Sequence, residues 1–177
     1  GKVFQIALGG AGDPNKHDYF EKILKKTREY RIIPNYTTSG YLLTELEAEL
    51  TKKYCGAVAV SFYSNLIGDK ESNPNTIKAI NLFLKHGCTT NIHYVVSKDT
   101  ISEAIYRLNN NLFPQGINAI IFLLYKPSGF GLEEKTLSYK DSALKELIDI
   151  VDNNHFNFDI GFDTCFTPAL LSYLNTI

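Results

Sequence analysis

The sequence contains no methionine and no tryptophan, and its three cysteines, Cys55, Cys88 and Cys165, stand no closer than 33 residues apart. An odd number of thiols at wide, irregular spacing excludes a disulfide framework and suits reduced cysteines, so a cytoplasmic location is expected. The same spacing offers no close-set metal ligands, and none are assigned. Neither sign of charge dominates, with 18 Lys and Arg against 19 Asp and Glu and no block of like charge. Nucleic acid and anionic membrane are therefore excluded as main partners. The longest apolar run, Ile117 to Tyr125 interrupted by Asn118, is about half of the roughly 20 residues that a membrane helix needs. No secretory pattern stands at the N-terminus. The first residue is Gly1 and a strand pattern is under way by Val3, so native chain upstream of Gly1 is expected.

What is present is a regular alternation. The chain of 177 residues with 44% hydrophobic content reads as one domain, 1–177, with a core over 1–131 and a C-terminal extension over 132–177 that carries one further strand and helices. Six apolar, β-branched runs recur at intervals of about 25 to 40 residues: Val3–Leu8, Ile32–Thr37, Ala57–Phe62, Thr90–Val96, Ile117–Leu124 and Phe158–Phe162. Each reads as a buried strand. Between them, Asp18–Tyr30, Leu42–Tyr54, Asn75–His86, Ile101–Leu112, Lys140–Asn153 and Pro168–Leu174 have helical periodicity. Thr44 with Glu47, and Thr100 with Glu103, have capping-box spacing; Gly87 suits a helix C-cap and Pro168 a first helical turn.

Strict alternation of this kind specifies an α/β fold with a parallel sheet covered by helices. A doubly wound sheet and a barrel share that pattern. Asp13, Thr37, Ser61, His93, Lys126 and Asp163 each fall at or just past the C-terminal end of a strand. Polar residues from every strand suit a barrel mouth, whereas a doubly wound sheet gathers its site at one switch point. The expected fold is a partial TIM-type (β/α)6 barrel.

The junction after the first run, Gly9-Gly10-Ala11-Gly12-Asp13-Pro14, defines a ligand chemistry. A phosphate loop presents amides and a lysine. Here Asp13 repels an anion and Pro14 removes an amide donor. A carboxylate beside exposed glycine carbonyls offers acceptors only, which suits an ammonium group. A plain glycine turn with Asp13 as helix cap is the alternative.

The strand, glycine pair, acid and proline resemble the GGE-type motif on the second strand of radical S-adenosylmethionine (radical SAM) enzymes, with Asp13 in place of the usual Glu. "NYTTSG" (35–40), "AVAVSFYS" (57–64), "TNIHYVVS" (90–97) and "NAIIFLLYKPSGFG" (118–131) are similar, in order, to that family's third to sixth strands. The resemblance thus spans residues 1 to about 131. It implies a 4Fe-4S enzyme that cleaves S-adenosylmethionine reductively to a 5′-deoxyadenosyl radical, which abstracts hydrogen from a small-molecule or peptide substrate. The implied reductant is a flavodoxin or ferredoxin.

Residue by residue, the resemblance assigns Asp13 with the Gly10 and Gly12 carbonyls to the cofactor's amino group. It assigns Thr37 to a cofactor-binding strand end, Ser61 and Asn91 to ribose or carboxylate, and the Ile120–Leu124 strand, ending on Leu124, to adenine. His93, Lys126 and Cys165 are candidate catalytic residues on the substrate side. Tyr63 is open between packing and a hydroxyl contact; Cys165 between a buried apolar role, an auxiliary cluster ligand and a hydrogen-atom donor. The family's CxxxCxxC motif is absent, so the cluster ligands are expected upstream of Gly1 and this segment alone is expected to be inactive. Cys55 and Cys88 are read as structural. Two other readings remain: a barrel lyase or aldolase on a phosphorylated or oxo-acid substrate, with Lys126 as Schiff-base or phosphate lysine and Ser128-Gly129-Phe130-Gly131 as anion loop, and a catalytically inactive scaffold or binding module.

Overall fold

The computed structural model describes residues 3–62, 74–129 and 131–175. Strands β1 (Gln5–Leu8), β2 (Ile33–Thr38), β3 (Val58–Ser61), β4 (Thr90–Val96), β5 (Ala119–Leu124) and β6 (Asp159–Phe162) alternate with helices α1 (Phe20–Glu29), α2 (Glu45–Tyr54), α3 (Pro74–Lys85), α4 (Ile101–Asn109), α5 (Ser142–Asn153) and α6 (Thr167–Leu174). The six strands form one open parallel sheet in the order β1-β2-β3-β4-β5-β6. Each strand pairs with its successor in the chain, as in a barrel wall. A doubly wound sheet would reverse direction at a switch point. The fold is α/β, a partial (β/α)6 barrel as expected.

Contacts group the chain into two compact units, Gly1–His93 with Gly116–Ala119, and Tyr94–Gln115 with Ile120–Ile177. In the first, β2 alternates strictly: Pro34, Tyr36 and Thr38 are buried while Ile33, Asn35 and Thr37 are half-buried. Tyr36 packs edge-on against Phe20 of α1 and Phe83 of α3, at ring separations of 5.3 and 6.5 Å, so the even-numbered face of β2 lies under helices. Its hydroxyl is 2.6 Å from Thr51 Oγ1 of α2. Leu24, Val58, Val60, Ile80 and Ile92 complete this core. The expectation that the first run is buried needs correction. Val3 is 61% and Phe4 72% exposed, because β1 is an edge strand whose partner among the described residues is β2.

Two termini follow their sequence signals. Thr44 and Glu47 form a complete capping box on α2, and Gly87 follows α3 at a φ of +69° that a side chain resists. Gly40 has the same need for a different reason: a Cβ there would come within 2.4 Å of Ala79 Cβ, so only glycine lets the turn after β2 lie against α3.

The second unit is built on aromatic rings. Tyr94 packs edge-on against Phe113 and Phe122, and Phe122 stacks on Phe162, with Leu144, Leu147 and Phe166 fully buried. The expected capping box of Thr100 with Glu103 does not form. Thr100 Oγ1 donates to Val95 O at 2.7 Å and accepts from Ser97 N at 2.9 Å. Glu103 turns inward instead, to Arg107 one helical turn on and to the Tyr94 hydroxyl at 3.0 Å. A buried guanidinium competes better for that carboxylate than an exposed backbone amide does.

Candidate functional site

The glycine-rich junction leaves β1 at Leu8 and enters a single 3-10 turn, Pro14–Lys16. Around Gly9, Gly10 and Gly12 no heavy atom lies within 4 Å of where a Cβ would stand, so their backbone faces open space. The Asp13 carboxylate does not cap the turn that follows. It reaches across to the C-terminal end of β2: Oδ1 accepts from Ser39 N at 2.8 Å, and Oδ2 from Ser39 Oγ at 2.6 Å and Thr38 Oγ1 at 3.0 Å. An ionised carboxylate has about four acceptor positions, so about one remains. Ala7 to Pro14, with Lys16, His17, Phe20 and Ile23, line a cavity of about 520 Å³, within the usual range for small-molecule sites.

A polar row occupies the face of β2–β4 opposite the helices. The register sets Thr37 beside Ala59, Ala59 beside Asn91, and Ser61 beside His93, so Thr37, Ser61, Asn91 and His93 share one face. Thr37 Oγ1 lies 3.4 Å from His93 Nδ1, and Asn118 Nδ2 donates to Asn91 Oδ1 at 3.4 Å. Burial lowers the His93 pKa and favours the neutral imidazole. Tyr63 and Ser64 lie outside the described residues.

In the second unit, Lys126 and Cys165 meet around Asp163. Asp163 Oδ1 accepts from Cys165 N at 3.2 Å and Leu124 N at 3.3 Å, and its Oδ2 is 3.3 Å from Lys126 Nζ. Leu124 shares its parity with the buried Ile120 and Phe122, so its amide rather than its side chain meets this cluster. Hydrogen bonding to Cys165, then to Asp163, raises the Lys126 pKa. That stabilises the ammonium form, whereas a Schiff-base lysine must be neutral to attack. Two amides of the proposed anion loop are bonded within it, Ser128 N donating to Lys126 O and Gly131 N to Ser128 O; Phe130 lies outside the described residues.

Sequence reading missed Thr38 and Ser39, the groups that hold Asp13. It selected Thr37 from "TTSG", yet the two hydroxyls that follow in that stretch were the available signal. Among the described residues, no group of three or more His, Cys, Asp or Glu could hold a metal. Cys55 and Cys88 flank the N-terminal ends of β3 and β4, where burial pushes the Cys55 thiol up to about 12 and raises that of Cys88. With no such group present and the three free cysteines at least 33 residues apart, a 4Fe-4S cluster does not fit the residues described.

No family model matches this sequence, and no curated protein matches it. The fold does have solved counterparts. SuiB from Streptococcus suis superposes with a TM-score of 0.70 at 17% identity over 98% of this chain and 41% of its own. SuiB bound to its precursor peptide SuiA gives 0.66 at 19% identity over 95% and 40%. Native anSMEcpe with bound AdoMet gives 0.67 at 20% identity over 90% and 50%. These are radical SAM enzymes, and at such identities the likeness is one of fold. The chain spans half or less of the length of each.

Proposed function

We propose that this chain is the S-adenosylmethionine-binding portion of a radical SAM enzyme whose substrate is a peptide or a small molecule. The observation that carries the reading is the cavity under Gly9–Asp13, where glycine backbone and a carboxylate with about one free acceptor position line a space of about 520 Å³. An α-ammonium group finds acceptors there and no competing amide from Pro14. Thr38 and Ser39 fix the carboxylate, so it is aimed before ligand arrives and little ordering cost is left for binding. Thr37, Ser61, Asn91 and His93 form a second polar row suited to hydroxyl and carboxylate groups of the ligand.

When bound, S-adenosylmethionine supplies a sulfonium carbon–sulfur bond that one-electron reduction breaks. The described residues orient the ligand. They offer no place for the cluster that would deliver the electron, and no step is assigned to them. The raised Lys126 pKa disfavours the Schiff-base form of the lyase reading. A peptide substrate is favoured by SuiB, solved with the precursor peptide SuiA, and by anSMEcpe, solved with the Cp18Cys peptide.

The test is calorimetric titration of S-adenosylmethionine into the full-length protein reconstituted without oxygen. Binding is expected in the parent. Asp13→Ala should weaken it roughly tenfold or more, the scale of one charge-assisted hydrogen bond. Absence of binding in a reconstituted parent that has taken up iron would overturn the reading.

A further inference from the structure

Glu47 belongs to α2, but its carboxylate joins two elements. Oε2 accepts from Thr44 N at 2.7 Å and Thr44 Oγ1 at 2.8 Å, which completes the helix cap. Oε1 accepts from Asn15 Nδ2 at 3.0 Å, and Lys16 Nζ bridges both oxygens, 2.8 Å from Oε1 and 3.0 Å from Oε2. Both donors lie on the 3-10 turn directly after Asp13, about 30 residues earlier in the chain. Lys16 Nζ also donates to Leu42 O at 2.7 Å, on the loop that leads into α2.

A capping glutamate is ordinarily solvent-exposed; the Glu47 side chain is only 12% exposed. Asn15 is 5% exposed, and among the described residues its Oδ1 has no hydrogen-bond partner. Within that set its side-chain amide is oriented by Glu47. Desolvation would raise the Glu47 pKa, yet hydrogen bonds from Lys16, Thr44 and Asn15 outweigh it and keep the carboxylate ionised.

Asp13 is thus held from two directions. Its side chain is gripped by Thr38 and Ser39, and its backbone continues into a turn gripped by Glu47, with Lys16 N donating to Asp13 O at 3.0 Å. At Gly9, Gly10 and Gly12 no heavy atom lies within 4 Å of where a Cβ would stand, so the placement of this loop depends on these anchors and on β1.

We propose that Glu47 is a positioning residue for the glycine loop, fixing the Asn15–Lys16 turn and through it the Asp13 pocket; for its ligand this rests on the S-adenosylmethionine reading above. The role separates from helix capping by substitution. Glu47→Gln retains one acceptor oxygen for Thr44 and Lys16, but turns an NH2 group toward the Asn15 donor and removes the charge that pairs with Lys16, which breaks the anchor at Asn15 and weakens it at Lys16. Thr44→Ala removes the cap and leaves the anchor.

Hydrogen exchange on the full-length protein, free of ligand, decides the question. In Glu47→Gln, the hydrogen-bonded turn amides of Lys16 and His17 should exchange at least tenfold faster while those of α2 change little; in Thr44→Ala the pattern should reverse. Unchanged loop exchange in Glu47→Gln, or equal loop acceleration in both variants, overturns the proposal. Titration of S-adenosylmethionine forms a separate arm, with about tenfold weaker binding expected in Glu47→Gln and parent-like binding in Thr44→Ala. If the parent itself binds none, the ligand reading fails while the exchange result still decides the role of Glu47.

Discussion

Among the described residues, His93 has one hydrogen-bonding side-chain neighbour, Thr37, on a half-buried strand face, and its lowered pKa has a consequence for stability. In the unfolded chain the imidazole takes a proton near its ordinary value of 6.5. Above that pH the group makes no difference. As pH falls below it, the unfolded state binds a proton that the fold resists, and stability declines until the lowered folded-state value is passed. Urea midpoints should fall between pH 7.5 and 5.5 in the parent, and His93→Gln should flatten that slope; an equal slope in both assigns the loss to other groups. At this scale the sequence revealed residue type better than partner. Asp13 stood out through its glycines and proline, but Thr38 and Ser39 lie 25 and 26 positions away and reach it only because β1 and β2 are neighbours. Lys126 and Cys165 were legible as strand-end residues, while the Asp163 contacts that join them required the pairing of β5 with β6.

Elements were legible wherever local chemistry decides them. The Thr44–Glu47 box, Gly87 and Pro168 act where their spacing placed them, because caps are satisfied within a few residues. The Thr100–Glu103 box failed for the opposite reason: Arg107, on the same helix, is buried and draws the carboxylate inward. That arrangement predicts a large cost for Glu103→Ala. Removing the carboxylate that faces a desolvated guanidinium should cost about 3 kcal/mol or more, read as a drop in the urea midpoint. Glu103→Gln, which keeps an acceptor for Arg107, should cost clearly less. A loss near that of an exposed-site substitution, about 0.5 kcal/mol, would mean that the pair contributes no net stability.

At the scale of the molecule, alternation of strand and helix gave the α/β class, and the distribution of polar strand ends gave the barrel order over the doubly wound one. Burial of β1 was not legible, because an apolar run reads the same at an edge as at the centre of a sheet; only the neighbours decide. The thiols carry a prediction here. Under the proposed function, replacing Cys55, Cys88 and Cys165 together by serine or alanine should leave iron and sulfide per chain unchanged after anaerobic reconstitution, since none of them belongs to a metal-competent group among the described residues. A proportional loss of iron would make one of them a ligand. The first strand has a practical consequence as well. Phe4 and Val3 stand bare beside a row of main-chain groups with one satisfied flank. The 177-residue chain handled at high concentration should be sticky, scattering more light as it is concentrated, and a single Phe4→Lys change should restore clear solutions by making edge-on stacking of copies unfavourable.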